Sequence, residues 1–363
     1  MKQGKLKVGI LFGGRSPEHK ISLLSASNVI ERIDRSKFDV VLLPIDKDGT
    51  WYIQNELSVV HPGDAKNITL TNLEDKVILS QNTGEHSIIS LISGKEIAKI
   101  DVLYPILHGI NGEDGSIQGL AKVAGIPCVG CGILSSSACM DKDITKRLLR
   151  DANIPNANFL TLRKGYNDEL SYYHVSKKLG EQLYIKPANL GSSVGVSLVK
   201  NEDQYNDAIR LAFQYDHKVI VEERIIGKEI ECAVLGNLDP KASVIGEILP
   251  KTEWYTFENK YVDDDGAGLE IPAKISDELS EKARKLAVET YRTLDCSGLA
   301  RVDMFLKEDG TILVNEVNTI PGFTSISMYP KLWNATNLDY ENLISKLIFH
   351  AVEKYKSEDA LII

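Results

Sequence analysis

The chain has 363 residues, 43% of them hydrophobic and 26% charged, with a formal net charge of −9. This is ordinary globular composition, long enough for two or three domains, and the acidic balance argues against a nucleic-acid partner, which would call for a basic patch. No apolar run approaches the roughly 18 residues of a membrane span, so no membrane partner is expected.

The N-terminus, MKQGKLKVGILFGG, runs straight into a strand pattern without a signal-peptide core and cleavage site. Five cysteines, an odd number, suit a reducing cytoplasm. LKVGILFGG reads as a buried strand. Ser16, Pro17 and Glu18 then read as the N-cap, first-position proline and first-turn acid of a helix through SLLSASNVIERI. The strand FDVVLLPID follows, but between about Thr50 and Lys99 the pattern is too weak to order elements. KIDVLYPILHG is a further strand, leading to a helix over GEDGSIQGLAKVAG. Such alternation predicts an α/β domain over residues 1–130, with a parallel, Rossmann-like sheet and ligands at the C-terminal strand ends. Cys128 and Cys131 form a CxxC, but a structural zinc needs four ligands. With no second CxxC or HxxxH, they read as small buried residues.

From SSACMDKDITKRLLRDANIP onward the pattern changes. Helices alternate with the hairpin-like strands EQLYIKP, VGVSLVK, KVIVEER and IECAVLG, which fit α+β domains better than a parallel sheet. We expect a central subdomain over 131–226 and a C-terminal one over 227–363. PKTEWYTFENKYVDDDGAGLEIP is long, polar and aromatic, the mark of a lid or a disordered loop, here at about residues 250–272. Its run of Asp263, Asp264 and Asp265 reads as solvated surface.

The chain lacks GxxxxGK[ST], and GGRSPEH is not GxGxxG, so neither a P-loop nor a dinucleotide fingerprint is present. In LYIKPANLGSSVGVSLVK, Lys186 ends one strand and Gly191-Ser192-Ser193-Val194-Gly195 turns into the next. A glycine hairpin of this kind can lay N–H groups and hydroxyls over phosphates, although an ordinary hairpin turn would look similar. Lys142 opens a helix, where a surface lysine is the usual case. Glu222 and Glu223 end an apolar strand and Glu229 and Glu231 share a face of the next, a weak signal for adenine and ribose binding.

LARVDMFLKEDGTILVNEVN carries the strongest pattern. Strand side chains alternate, and Asp309-Gly310 is a two-residue turn signal of the I′ kind. That turn sets Asp303 opposite Glu316 and Arg301 opposite Asn318, with Val302, Met304 and Leu306 facing Val317, Asn315 and Leu313. Like charges directly opposite are destabilising by roughly 0.2–1 kcal/mol. Either the face is solvated and the pair tolerated, or it holds a divalent cation. Oxygen donors without His or Cys suit Mg²⁺, which takes carboxylates together with substrate phosphates.

Taken together, LFGGRSPEHKISL, LHGINGEDGSIQG, MDKDITK, YIKPANLGSSVGVS, ENKY, GLARVDMF and NEVNTIPGFTSISMYP, in this order along nearly the whole chain, resemble the ATP-grasp ligases and closely the D-alanine–D-alanine ligases. The resemblance implies an ATP-grasp fold in which two α+β subdomains sandwich ATP behind the N-terminal α/β domain. It implies ATP-dependent joining of two D-alanines through a D-alanyl phosphate, for peptidoglycan precursors, in a cytoplasmic bacterial homodimer. Lys142, Lys186, Ser193 and Lys260 would serve the phosphates, Glu222 and Glu223 the adenine, and Glu229 the ribose. Asp303, Glu316 and Asn318 would hold two Mg²⁺, with Mn²⁺ as a substitute. Glu18 would bind the first ammonium and connect through Ser192 to Tyr261 of the lid, and His108 and Glu113 would line the same subsite. Arg301 would steady the tetrahedral intermediate and a substrate carboxylate. Gly322 and Ser327 would receive the second D-alanine.

Blander roles exist beside these: His108 as a loop cap, Tyr261 as lid packing, Ser192 as a turn residue and Glu18 as a partner of the helix dipole. The intact Lys260-Tyr261 pair speaks against D-lactate as second substrate, and Met328, where resistance-type relatives carry arginine, favours D-alanine over D-serine. Ile326, polar in some family members, leaves finer tuning open. A non-catalytic nucleotide-binding module is the rival from another class, and a different carboxylate–amine ligase is the rival within it. No Ser-His-Asp or Cys-His pattern appears, and an acyl-phosphate route needs no enzyme nucleophile.

Overall fold

The computed structural model describes residues 4–54, 70, 73, 75–81, 86–165, 170–250 and 267–361. β1 (Leu6–Gly13) is buried from Val8 onward, as a parallel strand covered on both faces must be. α1 (His19–Arg32) leads back to β2 (Phe38–Ile45), which pairs parallel to β1. The region too weakly patterned to order contains β3 (Tyr52–Ile53), β4 (Asp75–Leu79), β5 (Ser87–Ser90) and β6 (Glu96–Lys99), a small antiparallel sheet in chain order. β7 (Val102–Ile106) then lies parallel to β1 on its other edge, and α2 (Ser116–Ala124) follows.

The entry to α1 differs from expectation. The His19 N–H bonds to the Ser16 carbonyl (3.1 Å) and the Glu18 N–H to the Ser16 hydroxyl (3.1 Å), so residues 16–18 form a separate tight turn. The helix begins at His19 with Glu18 as its N-cap, and no side chain caps it. Ser16 spends its hydroxyl one turn early.

α3 (Ile133–Met140) and α4 (Lys142–Asp151) are separated by Asp141 alone, whose carboxylate accepts from the Asp143 and Ile144 N–H groups. β8 (Phe159–Arg163), α5 (Tyr172–Leu179), β9 (Leu183–Pro187), β10 (Ser197–Val199), α6 (Glu202–Tyr215) and β11 (Lys218–Glu223) follow. Their strands form an antiparallel sheet in the order β10-β9-β11-β8, and α5 and α6 supply Val175, Leu179, Tyr205, Ala208 and Ala212 to its core.

β12 (Lys228–Gly236), β13 (Lys241–Pro250), β14 (Ala267–Glu270), α7 (Asp277–Thr293), β15 (Gly298–Leu306) and β16 (Ile312–Asn318) come next. The sheet order is β14-β13-β12-β15-β16. Ala283, Ala287 and Tyr291 of α7 pack against Cys232, Val302, Met304 and Val314 on one face. The other face is shared: α8 (Met328–Asn334) and α9 (Tyr340–Asp359) pack on it and also against α1, β1 and β7, in one core with Phe12, Val29, Phe323 and Leu347. The chain's last helices thus lock the C-terminal sheet to the N-terminal domain. Of the expected lid, Ala267–Glu270 is the strand β14, paired with β13; residues 251–266, with Lys260 and Tyr261, lie outside the described residues.

Candidate active site

The acidic face of β15 and β16 is built by a turn and a bulge. The turn differs from the two-residue expectation. Lys307 N–H bonds to the Thr311 carbonyl (2.9 Å), Gly310 N–H to the Lys307 carbonyl (3.0 Å), and only Gly310 has a positive φ, of 78°. Asp309 stays in the ordinary region and its carboxylate takes the Thr311 N–H at 2.9 Å. This three-residue loop sets Leu306 opposite Ile312 and Met304 opposite Val314, not Leu313 and Asn315. Asn315 is then an extra residue on β16, and beyond it Asp303 faces Glu316, Val302 faces Val317 and Arg301 faces Asn318. Without that bulge Glu316 would fall opposite Val302, on the face packed against α7. The buried layer is wholly apolar as a result.

On the polar face Arg301 donates from Nε and from a terminal nitrogen to the two Asp303 oxygens, both at 2.7 Å, and Asn318 Nδ2 donates to Asp303 at 2.9 Å. β12 adds Glu231, opposite Asp303 and 3.0 Å from Arg301 Nε. Glu229 is two residues along the same face, opposite Phe305. Lys142, opening α4, donates to the Leu190 carbonyl (2.6 Å) and stands 4.0 Å from Glu316. It ties the glycine loop to the acidic face.

In the loop after β9, Val194 N–H bonds to the Gly191 carbonyl at 3.2 Å, while Ser192 and Ser193 have φ of 55° and 59°. Two successive serines in the left-handed region cost of order 1–2 kcal/mol each. Ser192 donates its hydroxyl to Glu18, from the far side of the cleft. At the loop's base Lys186 lies 2.6 Å from Glu222, whose other oxygen is 2.9 Å from the fully buried Lys146. Burial alone would raise the Glu222 carboxyl, but the two ammonium groups overcome it and hold it down at about 2. Burial likewise opposes the charge on Lys186, yet Glu222 wins and its pKa is raised. Glu223 instead accepts the Asn158 N–H at 2.7 Å and its side-chain amide at 3.0 Å.

His108 is buried and Glu113 half-buried beside Glu18. Glu113 takes the Gly109 N–H at 2.8 Å and the Ile320 N–H at 3.1 Å. Burial, then the charge of Glu18, push its carboxyl up to about 8. His108 Nδ1 bonds to the Ile320 carbonyl at 2.9 Å and so carries the proton, leaving Nε2 to accept from the Ser25 hydroxyl at 3.0 Å. Burial keeps the ring neutral, lowering its pKa to about 4.

These groups converge on one cleft of about 700 Å³, counting the solvent at its mouth. Its walls include Glu18, His108, Glu113, Lys142, Ser192, Arg301, Glu316, Asn318 and Gly322. Lys186, Ser193, Glu222, Glu223, Glu229 and Ser327 are outside that wall. Ser327 accepts the Thr324 N–H at 3.0 Å just before α8, and Asp303 stands behind Arg301. Sequence reasoning did not single out Lys146 or Ser25 as site partners, and it read Glu231 only as part of a weak adenine and ribose signal. Glu231 was visible beside Glu229, but only the pairing of β12 with the distant β15 sets it opposite Asp303.

The comparisons agree in one direction. Residues 7–131 match the family profile described as D-ala D-ala ligase N-terminus, and residues 148–349 match its C-terminus. The D-alanine–D-alanine ligase A of Escherichia coli strain K12 is 49% identical over 358 residues, 98% of either chain. Among solved structures, the VanG D-Ala:D-Ser ligase of Enterococcus faecalis superposes with a TM-score of 0.84 at 37% identity, over 96% of this chain and all of that one. A D-alanine–D-alanine ligase of Bacillus anthracis complexed with ATP gives 0.72 at 28% identity, over 97% and 99%. Both halves of the chain are matched and nearly its whole length aligns, so it belongs to the D-alanine–D-alanine ligase family.

Proposed function

We propose that the chain joins two D-alanines into D-alanyl-D-alanine at the expense of ATP, by way of a D-alanyl phosphate, for peptidoglycan precursors. The observation that carries this reading is the single cleft in which Glu18, held by Ser192, faces Arg301, Lys142, Glu316 and Asn318. One wall offers an anion for an ammonium group and the other offers cations for carboxylate and phosphate.

Lys142 and Lys186, with Ser193 and the turning glycine loop, supply positive charge and N–H donors to phosphates, and Lys260, outside the described residues, would serve the same phosphates. The Lys146–Glu222–Lys186 series fixes where the second of those charges sits, with Glu223 and Glu229 flanking the nucleotide side. Asp303, Glu316 and Asn318 would hold two Mg²⁺, or Mn²⁺ in their place. The donor set fits, being two carboxylates and an amide oxygen, and Asp303 is already oriented on a cationic group in the form of Arg301. The bound ions would neutralise phosphate charge. Arg301, half-buried between two acids, is aimed to steady an oxyanion.

Glu18 anchors the first D-alanine's ammonium. Gly322 and Ser327 border the second D-alanine, whose amine needs no enzyme nucleophile once the carboxylate is activated. Positioning and electrostatics therefore carry the rate. Tyr261, outside the described residues, would extend the Glu18–Ser192 series, and keeping water out would protect the acyl phosphate. A homodimer in the bacterial cytoplasm accompanies this reading; among the described residues no helix is long and apolar enough to cross a membrane.

The test is ATP-dependent phosphate release with D-alanine alone, then with excess D-serine or D-lactate, products being identified by mass. D-alanyl-D-alanine from D-alanine alone is the expected result. Release that requires D-serine would move the chain to the D-Ala:D-Ser class, and no release would return it to a binding module.

A further inference from the structure

The backbone from Ile320 to Phe323 is held by side chains from distant parts of the chain. Ile320 is gripped on both sides of its Cα: its N–H by Glu113 at 3.1 Å and its carbonyl by His108 Nδ1 at 2.9 Å. The Phe323 N–H bonds to the Ser25 hydroxyl oxygen at 3.2 Å, and the Phe323 carbonyl accepts from Tyr340 at 2.6 Å. Between these fixed points lie Pro321, which has no N–H, and Gly322. Gly322 lines the cleft and has no protein hydrogen bond among the described residues.

Ser25 is the shared joint of this arrangement. It sits on α1, fully buried, and does not reach the cleft. Its one hydroxyl proton goes to His108 Nε2 at 3.0 Å and one of its lone pairs takes the Phe323 N–H. The path runs Phe323 N–H, Ser25, His108, Ile320 carbonyl, and closes a loop around Gly322. His108 can serve it only as the Nδ1–H tautomer, because a carbonyl can accept but not donate.

We infer that Ser25 is a positioning residue, acting through His108 and Phe323 to hold the Gly322 peptide where the second amino acid's carboxylate is received. The inference rests on the ligase reading and on Gly322 bordering that subsite. ATP is served by other elements, chiefly β9, α4 and the glycine loop. Loss of Ser25 therefore separates the two substrates: it loosens one wall of the amino-acid cleft and leaves the nucleotide side in place.

The experiment compares wild type with Ser25→Ala, Ser25→Cys and His108→Gln, and with the Ser25→Ala/His108→Gln pair. For Ser25→Ala we expect KM for D-alanine to rise about tenfold, the scale of one buried hydrogen bond lost, with KM for ATP and kcat within about twofold. Ser25→Cys, which keeps a weak donor and acceptor, should recover part of the change and guards against a misfolded alanine variant. The double variant should be little worse than His108→Gln alone, since contacting residues in one network are not additive. The ¹⁵N resonance of His108 Nε2 should move in Ser25→Ala without loss of the Nδ1–H form.

Equal increases in both KM values, strict additivity, or an unmoved Nε2 resonance would each overturn the inference. Failure of wild type to form D-alanyl-D-alanine would instead count against the ligase reading, and the resonance arm would still decide whether Ser25 governs His108.

Discussion

Asp303 and Glu316 face each other directly across β15 and β16, two carboxylates where a sheet ordinarily avoids them. The arrangement persists because each has a cation: Arg301 is bidentate on Asp303, and Lys142 stands 4.0 Å from Glu316. We expect Asp303→Asn and Glu316→Gln to keep the fold, shifting the melting temperature by only a few degrees. Turnover should fall on the order of 10²–10³-fold, as when a group that stabilises transition-state charge is lost. Near-normal turnover with Mg²⁺ would sink the metal assignment.

Ser192 and Ser193 hold left-handed backbone that glycine would adopt freely. Ser192→Ala and Ser192→Gly both remove the hydroxyl that reaches Glu18, so both should lose activity to a similar degree. They should differ in stability, the glycine variant being the more stable by about 1 kcal/mol in urea unfolding, because only alanine keeps the strain. If alanine proves equally stable, the conformation is not strained at that position.

The sequence made legible those parts in which neighbours in the chain are neighbours in space. The apolar runs of β1, β2 and β7 announce a parallel sheet, and the Asp303–Glu316 and Arg301–Asn318 pairs follow from one hairpin. Its turn was misread because Asp309 bonds to the Thr311 N–H in a three-residue loop. The facing acids survive the error only because the Asn315 bulge offsets it by one residue. What sequence could not disclose depends on long-range pairing. Glu231 joins Arg301 through the register of β12 on β15, and Ser25 meets His108 across 83 positions. Ser16 reads as a helix cap because its local chemistry is that of a cap; the intervening turn rests on two short-range hydrogen bonds.

Lys146 is almost wholly buried and its partner Glu222 is equally enclosed. Lys146→Met replaces a buried cation by an apolar side chain of similar length and leaves Glu222 with Lys186 alone. Breaking a buried pair in this way costs roughly 3–5 kcal/mol, which urea unfolding at pH 7 would register. The acid limb should move as well. A carboxyl held at about 2 in the fold contributes stability that is present above its ordinary value of 4.5 and is lost as pH falls toward 2. With one cation gone, the folded-state value rises and this contribution shrinks. A variant whose stability parallels wild type from pH 7 to pH 3 would show that Lys186 suffices.

Glu113 has the opposite sign. Its folded-state carboxyl is raised from 4.5 to about 8 by burial and by Glu18, so the fold favours the protonated form. Stability from this group is fully present below about pH 4.5 and is lost as pH rises through 8. Glu113→Gln cannot ionise, but its amide nitrogen replaces one of the two oxygens that accept the Gly109 and Ile320 N–H groups. At pH 5 the variant should therefore be less stable than wild type by about 1–3 kcal/mol, the cost of a buried donor left unpaired. Toward pH 8.5 wild type has to carry a half-buried charge beside Glu18 while the variant does not, and the gap should close or reverse. Unfolding curves at pH 5, 7 and 8.5 decide the matter: parallel lines for the two proteins would mean that Glu113 is already ionised in the fold, with its two backbone donors outweighing both burial and its neighbour.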